Sequence, residues 1–305
     1  MSSVPASAVT AANPSVELRR HRFTAMAVGI ECLVEAVGDC AGAFAAVEQE
    51  LYRLEQIFTR FRPDSDISKL NRAGAAVCVP ELLELVSTAL DARDRTGGRF
   101  DPTIHDALVV AGYDRAFSEL PRDGLLSDPT GPCGGAVLVD RAARTITLLP
   151  GARLDLAGIV KGYAAERACE LLAPHGACLV SFGGDIAVRG APAAGYWPVA
   201  VDTAQGPLTL GLPRGGMATS GRDFRRWFRG GLDQHHLIDP ASGLPSTSDL
   251  LAVTVVAASA VEAEIWATAL FLAGEAEAKA EADKAALPAV LRTPDGRVVL
   301  AGGIA

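Results

Sequence analysis

The 305-residue sequence lacks an excess of positive charge and contains no block of basic residues. Lysine and arginine together number 28, against 36 aspartates and glutamates, so the net charge is −8. Nucleic-acid-binding proteins usually carry a basic patch that contacts phosphates. The composition therefore argues against nucleic acid as the main partner. It does not exclude small anionic ligands, which need only local positive charge or a metal ion.

Cysteine pairs and long hydrophobic runs are also missing. None of the six cysteines forms a Cys-x-x-Cys pair, and several lie in apolar runs such as ACLVSF around Cys178. Free cysteine behaves there as a small buried hydrophobe, so we predict reduced core residues. The apolar stretch 250–261 is too short to span a bilayer, which takes about 18 residues or more. We therefore predict no membrane span.

The first residues have no basic segment followed by an apolar run, and no lipobox-like cysteine. This pattern lacks the features of a signal peptide and predicts a cytoplasmic location for the sequence as given. Residues 1–18 are small and polar with two prolines, which is typical of a disordered arm. We expect residues 19–305 to form one domain.

Short β-rich runs alternate with amphipathic segments along the rest of the chain. Helices are predicted over 41–58, 80–96 and 259–274, and strands in runs such as IECLVEAV, CLVSF and LLAVTVVA. The stretch 59–74, rich in Arg, Asp, Ser and Asn, is typical of a solvated connector.

The most informative stretch is LDLAGIVKGYAAE, residues 154–166. Asp155 ends a short apolar run, and Ala157 and Gly158 precede a helix that begins near Lys161. Small residues at such a junction let backbone amides approach a phosphate, and the helix N-terminus favours its negative charge. Lys161 would add a movable charge, and Asp155 suits a metal ion or a hydroxyl. The alternative is an ordinary strand–turn–helix with a surface lysine.

A second polar segment, residues 215–245, concentrates reactive side chains. Adjacent residues of a strand point to opposite faces, so only one of His235 and His236 can face a given site. Thr219 or Ser220 beside a histidine would suit a hydrolase nucleophile, but the sequence has no Gly-x-Ser-x-Gly motif to support that reading.

Glu264 and Thr268 lie four residues apart in the predicted helix 259–274 and therefore share a face. A carboxylate and a hydroxyl in that arrangement suit Mg²⁺. The alternative is a partly exposed glutamate and a threonine that bonds its own helix.

Taken together, several blocks resemble the ApbE family, the FAD:protein FMN transferases. The blocks are FRPDSDISKLN, GGRFDPTIH, LDLAGIVKGYAAE with LVSFGGDI, and ATSG followed by HHLIDPASG and VEAEIWATALFLAG. They occur in the family's order and approximate spacing, over roughly residues 22–303.

The resemblance implies a specific reaction. FAD would bind in a cleft with Mg²⁺ at its diphosphate, and a Thr or Ser hydroxyl of an acceptor flavoprotein would attack the FMN phosphorus. AMP would leave, and FMN would stay on the acceptor. Two alternatives are an FAD pyrophosphatase, which gives FMN and AMP, and a flavin-binding protein without transferase activity. Family relatives are often periplasmic lipoproteins.

The resemblance also implies roles for individual residues. The implied cofactor contacts are Met26, Phe61, Arg99, Phe100, Asp101, Asp155, Lys161 and Leu237, with Lys161 on phosphate. The implied metal ligands are the carbonyls of Gly158 and Ala267 and the side chains of Glu264 and Thr268. Glu264 stands where the family usually has aspartate, and Phe61 where it often has tyrosine. Met26 lies in a Met-Ala-Val sequence that departs from the family's MGT-like block.

His236 matches the family histidine proposed as general base. A neutral imidazole near its ordinary pKa of roughly 6.5 is suited to accept a hydroxyl proton. The alternative is that His236 only orients the cofactor or caps the Asp239-Pro240 turn.

The predicted fold is α+β: mixed, largely antiparallel sheets with flanking helices, in one two-lobed domain. We expect the cleft between the Asp155 junction and residues 219–243.

Overall fold

The computed structural model describes residues 16–129 and 131–304. Its main element is an eight-stranded sheet in which all neighbouring strands are antiparallel. In order across the sheet, the strands are β1 (Glu17–Ala25), β2 (Val28–Ala36), β6 (Gly176–Phe182), β7 (Asp185–Arg189), β10 (Gly215–Gly221), β15 (Ala252–Ala257), β16 (Ala289–Arg292) and β17 (Val298–Ala301).

Four small antiparallel sheets accompany the main one. They are β3 (Ala75–Val77) with β5 (Thr145–Leu148) and β4 (Val137–Asp140), β8 (Trp197–Val201) with β9 (Leu208–Leu212), β11 (Arg226–Arg229) with β12 (Leu232–His235), and β13 (Ile238–Asp239) with β14 (Leu244–Pro245). Strands β4 and β5 form a hairpin. The helices are α1 (Ala41–Phe58), α2 (Asp66–Ala73), α3 (Pro80–Arg95), α4 (His105–Val110), α5 (Val160–Leu172), α6 (Ala260–Ala273) and α7 (Glu275–Ala285).

Both faces of the central strands are buried. Alternate side chains of each strand point to opposite sides, and each side is covered by other elements. Helices α5 and α6 pack on one face, where Val180, Phe182 and Ala187 join the largest hydrophobic core. The β8–β9 hairpin contributes Trp197 to a separate core against Leu179 on the other face. This arrangement confirms the predicted α+β fold with largely antiparallel sheets.

Helices α5 and α6 approach each other unusually closely at Gly162. A Cβ atom at this position would lie 2.7 Å from the carbonyl carbon and oxygen of Ala260. A side chain of α5 also caps α6. Oε1 of Glu166 accepts a hydrogen bond from the backbone N–H of Val261 at 2.9 Å. The absence of a side chain at Gly162 thus lets the two helices that border the cleft meet backbone to backbone.

The structure shows regular elements in two segments where the sequence predicted none. Strand β1 begins at Glu17, inside the segment predicted to be a disordered arm, and residues 1–15 of that segment lie outside the described residues. Helix α2 lies within the predicted connector 59–74. Ser65 caps this helix by accepting a hydrogen bond from the N–H of Ser68, and Gly74 ends it in the left-handed region with φ 75°. Both caps stabilise a helix too short for its apolar pattern to be distinctive.

Five of the six cysteines are buried, and Cys133 is partly exposed. Within residues 16–129 and 131–304, no helix combines the length and the apolar character needed to cross a bilayer.

Candidate active site

A cleft with a volume of about 390 Å³ lies where α5, α6 and the central strands meet. This volume is in the range of small-molecule sites. The cleft is lined by both segments between which it was expected, the Asp155 junction and part of residues 219–243. The lining residues include Arg99, Phe100, Asp101, Tyr113, Asp155, Gly158, Lys161, Asp185, Thr219, Ser220, Phe224, Arg225, His236, Leu237, Glu264 and Thr268.

Two buried carboxylates and a lysine form the charged centre of the cleft. The ammonium group of Lys161 forms an ion pair with Asp185, and its Nζ lies 3.1 Å from Oε1 of Glu264. Oε2 of Glu264 accepts a hydrogen bond from the backbone N–H of Gly162 at 2.8 Å. Oδ1 of Asp185 accepts one from the N–H of Thr219 at 3.2 Å. The family resemblance implies Lys161 on a phosphate, and in the structure its ammonium group lies between two acidic side chains.

Burial controls the protonation of this centre. It raises the pKa of Glu264 to about 8, against the opposing charge of Lys161 and with a further increase from Asp185. Burial acts to lower the pKa of Lys161, but the negative charges of Asp185 and Glu264 outweigh it and raise that pKa. The cluster therefore holds a charged lysine at neutral pH, and burial makes Glu264 easier to protonate than an ordinary glutamate.

The residues around Glu264 fit a hard cation. Its Oε1 is buried and, apart from the ion pair with Lys161, has no hydrogen-bond partner among the described residues. The hydroxyl of Thr268 lies 2.9 Å from that of Ser220, and both residues line the same cleft. Among the described residues, no three His, Cys, Asp or Glu side chains converge as a metal site. A cation would thus need hydroxyl and carbonyl oxygens beside the carboxylates, a ligand set that suits Mg²⁺.

Asp155 is held by a partner that the sequence-based analysis did not identify. Nε of Arg60 lies 2.7 Å from Oδ2 of Asp155, and both side chains are almost fully buried. Oδ1 of Asp155 accepts a hydrogen bond from the N–H of Ala157 at 2.8 Å. The Arg60 guanidinium also stacks on two rings, 4.3 Å from the centroid of Phe61 and 4.5 Å from that of Tyr113. Arg60 thus fixes the junction that leads into α5.

The two histidines face different surroundings, as predicted. His235 ends β12 and is buried, with Nε2 2.9 Å from the carbonyl oxygen of Ser246. His236 follows the strand, lines the cleft, and has a buried Nδ1 without a hydrogen-bond partner among the described residues. The expectation of an ordinary pKa for His236 was wrong. Burial, together with the charges of Arg225 and Lys161, lowers its pKa to about 3. The imidazole is therefore neutral but weakly basic.

The turn Arg99–Asp101 lines the cleft with side chains that are buried or already paired within the protein. The Phe100 ring lies against Gly158, where an added Cβ would be 3.3 Å from it. Oδ1 of Asp101 accepts hydrogen bonds from the N–H and the hydroxyl of Thr103, both at 2.7 Å. The Arg99 guanidinium pairs with Glu277 and Glu281 of α7. This part of the cleft is thus preorganised by its own contacts.

Three predicted residues are not part of the cleft lining. Met26, with φ 49°, lies in the tight turn between β1 and β2 and packs on the largest core. Phe61 is partly exposed and lies beside the cleft lining, with its ring centroid 5.6 Å from that of Tyr113 and 4.3 Å from the guanidinium of Arg60. Ala267 is fully buried within α6. Leu237, by contrast, is buried and lines the cleft.

Three residues at or beside the cleft were not predicted from the sequence: Asp185, Arg60 and Arg225. Asp185 follows the turn Gly183-Gly184, and this pair of glycines before an acid was the available signal for it. Arg225 lies in an arginine-rich stretch whose side chains the pattern could not assign to a face. Arg60 had no distinctive signal beyond its neighbour Phe61.

The fold and the cleft define a class of protein. It is an α+β protein whose site, lined by acids and a lysine, suits an anionic ligand together with a cation. Comparison with known proteins specifies this further. The model of the ApbE family matches residues 24–291, and the chain belongs to that family.

Curated relatives and solved structures agree with this assignment. The chain is 29% identical to the FAD:protein FMN transferase of Treponema pallidum, over 94% of this chain and 88% of the relative. It is 30% identical to the enzyme of the same name from Chlamydia muridarum, over 73% of each. The ApbE protein of Thermotoga maritima superposes with a TM-score of 0.84 at 23% identity, covering 93% of this chain and 97% of that one.

Proposed function

We propose that this protein transfers the FMN moiety of FAD onto a Thr or Ser hydroxyl of an acceptor flavoprotein and releases AMP. The observation that carries the proposal is the convergence of His236, the Lys161–Asp185–Glu264 cluster and Thr268 on one cleft of a chain in the ApbE family. Such a transfer depends mainly on positioning the reactants and neutralising phosphate charge.

Mg²⁺ is the proposed metal, held by Glu264 and Thr268 with the carbonyl of Gly158. The carbonyl of Ala267 remains a ligand implied by the family resemblance alone, because Ala267 does not line the cleft. The structure adds Asp185 as a further candidate ligand, because it shares Lys161 with Glu264. When bound, the ion neutralises charge on the diphosphate. In the present arrangement, Lys161 supplies the positive charge between the carboxylates. A metal ion there would release Lys161 for a phosphate oxygen, the role that the family resemblance implies.

His236 is the proposed base for the acceptor hydroxyl. With a pKa of about 3, it is neutral but a poor proton acceptor. Part of the depression comes from the positive charges of Arg225 and Lys161. The negative diphosphate of FAD would offset those charges and raise the basicity of His236 when substrate is bound.

The remaining lining residues are proposed to position the cofactor. Phe100 and Leu237 offer apolar surface at the cleft, and Asp155 and Asp101 offer carboxylates whose geometry is set by Arg60 and Thr103. Contacts of Met26 and Phe61 with FAD are proposed from the family resemblance alone. Neither residue lines the cleft, so FAD would have to extend beyond the present lining to touch them.

One incubation separates the proposed function from its alternatives. The protein is mixed with FAD, Mg²⁺ and an acceptor domain that carries a DGxSGAT-like sequence, with parallel samples that lack the acceptor or contain EDTA. The proposal predicts AMP release together with an acceptor whose mass increases by FMN, and loss of both with EDTA. AMP release without an acceptor would indicate an FAD pyrophosphatase. FAD binding without AMP release would indicate a flavin-binding protein.

A further inference from the structure

The hydroxyl groups of Thr268 and Ser220 meet at the cleft from two different elements. Thr268 lies on α6, and Ser220 lies on β10, where it is paired with Val253 of β15. Oγ1 of Thr268 is 2.9 Å from Oγ of Ser220, and both residues line the cleft. The contact therefore joins the helix that carries Glu264 to the main sheet.

The hydroxyl of Thr268 is not used within its own helix. A threonine in a helix can donate to the carbonyl oxygen four residues earlier. Thr88 of α3 does so, with its Oγ1 3.0 Å from the carbonyl oxygen of Glu84. Within the described part of the chain, the hydroxyl of Thr268 has a single hydrogen bond, and its partner is Ser220. The alternative of a threonine that bonds its own helix is therefore not realised.

A hydroxyl group that binds a cation must direct its proton elsewhere. It has one proton and two lone pairs, and the cation takes a lone pair. The contact between Thr268 and Ser220 can form with either hydroxyl as the donor. A cation beside Thr268 favours the arrangement in which Thr268 donates, because a lone pair of its oxygen is then available to the cation. Oγ of Ser220 is the acceptor that this arrangement needs.

Strand β10 holds Ser220 in a fixed position. The residue is buried, and the strand is paired with β15 on both sides of it, from Gly216 to Gly221. The preceding residue, Thr219, donates its N–H to Oδ1 of Asp185 at 3.2 Å. Neighbouring residues of one strand thus contact both Asp185 and Thr268. Groups held by a strand keep their geometry better than groups on a loop.

We propose that Ser220 is a positioning residue for the metal site, where its Oγ accepts the hydroxyl proton of Thr268 and leaves a lone pair of Thr268 for Mg²⁺. The inference rests on the proposed function, which makes Thr268 a metal ligand. Ser220 acts through Thr268 in this arrangement and is not itself a ligand. Its contribution to metal affinity should therefore disappear when residue 268 has no hydroxyl.

The test measures the affinity for Mg²⁺ directly, by isothermal titration calorimetry without FAD or acceptor. Ser220→Ala should raise the Kd for Mg²⁺ about ten-fold or more, as is typical when a group that orients a metal ligand is lost. Ser220→Thr keeps a hydroxyl and should restore most of the affinity. Ser87→Ala is the matched control, because Ser87 and Ser220 are both 8% exposed. Ser87 does not line the cleft, and it loses a 2.8 Å hydrogen bond to the carbonyl oxygen of Leu83, so its Kd should match the wild type.

A double-mutant cycle separates positioning from a general loss of structure. Thr268→Val should itself weaken Mg²⁺ binding, and the addition of Ser220→Ala should then leave the Kd unchanged. A further loss of affinity in the double variant would show that Ser220 acts independently of Thr268. An unchanged Kd in Ser220→Ala alone would show that the serine is not needed, and either result overturns the proposal. If circular dichroism shows that Ser220→Ala is unfolded, Ser220→Cys replaces it in the cycle, because a thiol is only a weak acceptor.

The titration also distinguishes this inference from the proposed function. A wild-type protein that binds Mg²⁺ but transfers no FMN would refute the function, and a non-additive cycle would still support the role of Ser220. A wild-type protein that transfers FMN, with normal Mg²⁺ affinity in Ser220→Ala, would refute the role of Ser220 alone. The absence of Mg²⁺ binding by the wild type would refute that role whatever the transfer assay gives.

Discussion

The close approach of α5 and α6 leads to a prediction about replacing glycine by alanine. The same substitution should destabilise the protein at one helical position and stabilise it at another. Gly162→Ala would place a Cβ atom 2.7 Å from backbone atoms of Ala260 and 2.9 Å from the N of Val261. Backbone atoms cannot rotate away as a side chain can, so one helix must shift. Gly42→Ala, in the first turn of α1, meets no atom within 4 Å.

The expected magnitudes follow from packing and helix propensity. Overpacking typically costs about 1–3 kcal/mol, and alanine gains up to about 1 kcal/mol over glycine within a helix. We expect Gly162→Ala to lower the free energy of unfolding by about 2 kcal/mol. Gly42→Ala should raise it by about 0.5–1 kcal/mol. For a chain of this length, each kcal/mol shifts Tm by about 2 °C.

The assay is thermal unfolding of both variants beside the wild type, followed by circular dichroism. Gly162→Ala should also reduce FMN transfer, because the N–H of Gly162 is bonded to Oε2 of Glu264 at 2.8 Å. Equal Tm values for the two variants, or a Gly162→Ala protein more stable than the wild type, would refute the proposed backbone contact between the helices.

Three further predictions concern charged and titratable groups. Arg60→Ala should destabilise the protein by about 3–5 kcal/mol in urea unfolding, because it leaves a buried carboxylate unpaired. Arg62→Ala, which removes an exposed ion pair, should cost about 1 kcal/mol or less, and equal losses would contradict the burial argument. His236→Ala should abolish FMN transfer with little change in FAD binding, whereas His235→Ala should do little. Because the folded pKa of His236 is about 3, below its ordinary value of 6.5, its neutral form favours folding above pH 6.5 and this stability is lost as the pH falls towards 3. Wild-type stability should therefore fall more steeply than that of His236→Ala over this range; parallel curves from urea unfolding at each pH would count against a buried neutral imidazole. Glu264→Ala should lower transfer about ten-fold or more at limiting Mg²⁺, and unchanged activity there would exclude the metal assignment.

Elements with a strong local pattern could be predicted from the sequence. Helices α1 and α6 have apolar residues at helical spacing or throughout, and the buried strand β6 is a continuous apolar run. Strand β1 escaped prediction because ELRRHRFTA carries three arginines. It is an edge strand whose exposed side tolerates charge, and its stability comes from pairing with β2.

The site shows the same limit more sharply. The family motifs identified Lys161, Glu264 and Thr268, but not which of them contact each other. Lys161 pairs with Asp185, 24 residues away, and with Glu264, 103 residues away. Such contacts depend on how the helices pack, which no local pattern contains. The low pKa of His236 likewise arises from burial and from cations brought close by the fold.

The strand order of the main sheet also determines when the cleft can exist. Strand β2, from the first part of the chain, pairs with β6, and β10 pairs with β15 only after residue 250 has been made. During synthesis on the ribosome, strand β2 would therefore keep an unpaired edge until β6 is made, and α6 would be the second of the two helices bordering the cleft to be made. A nascent chain that ends before α6 lacks Glu264 and therefore cannot place it beside Asp185 around Lys161. Cofactor capture should consequently mark the end of folding, so a flavin signal in a translation reaction would report finished molecules alone.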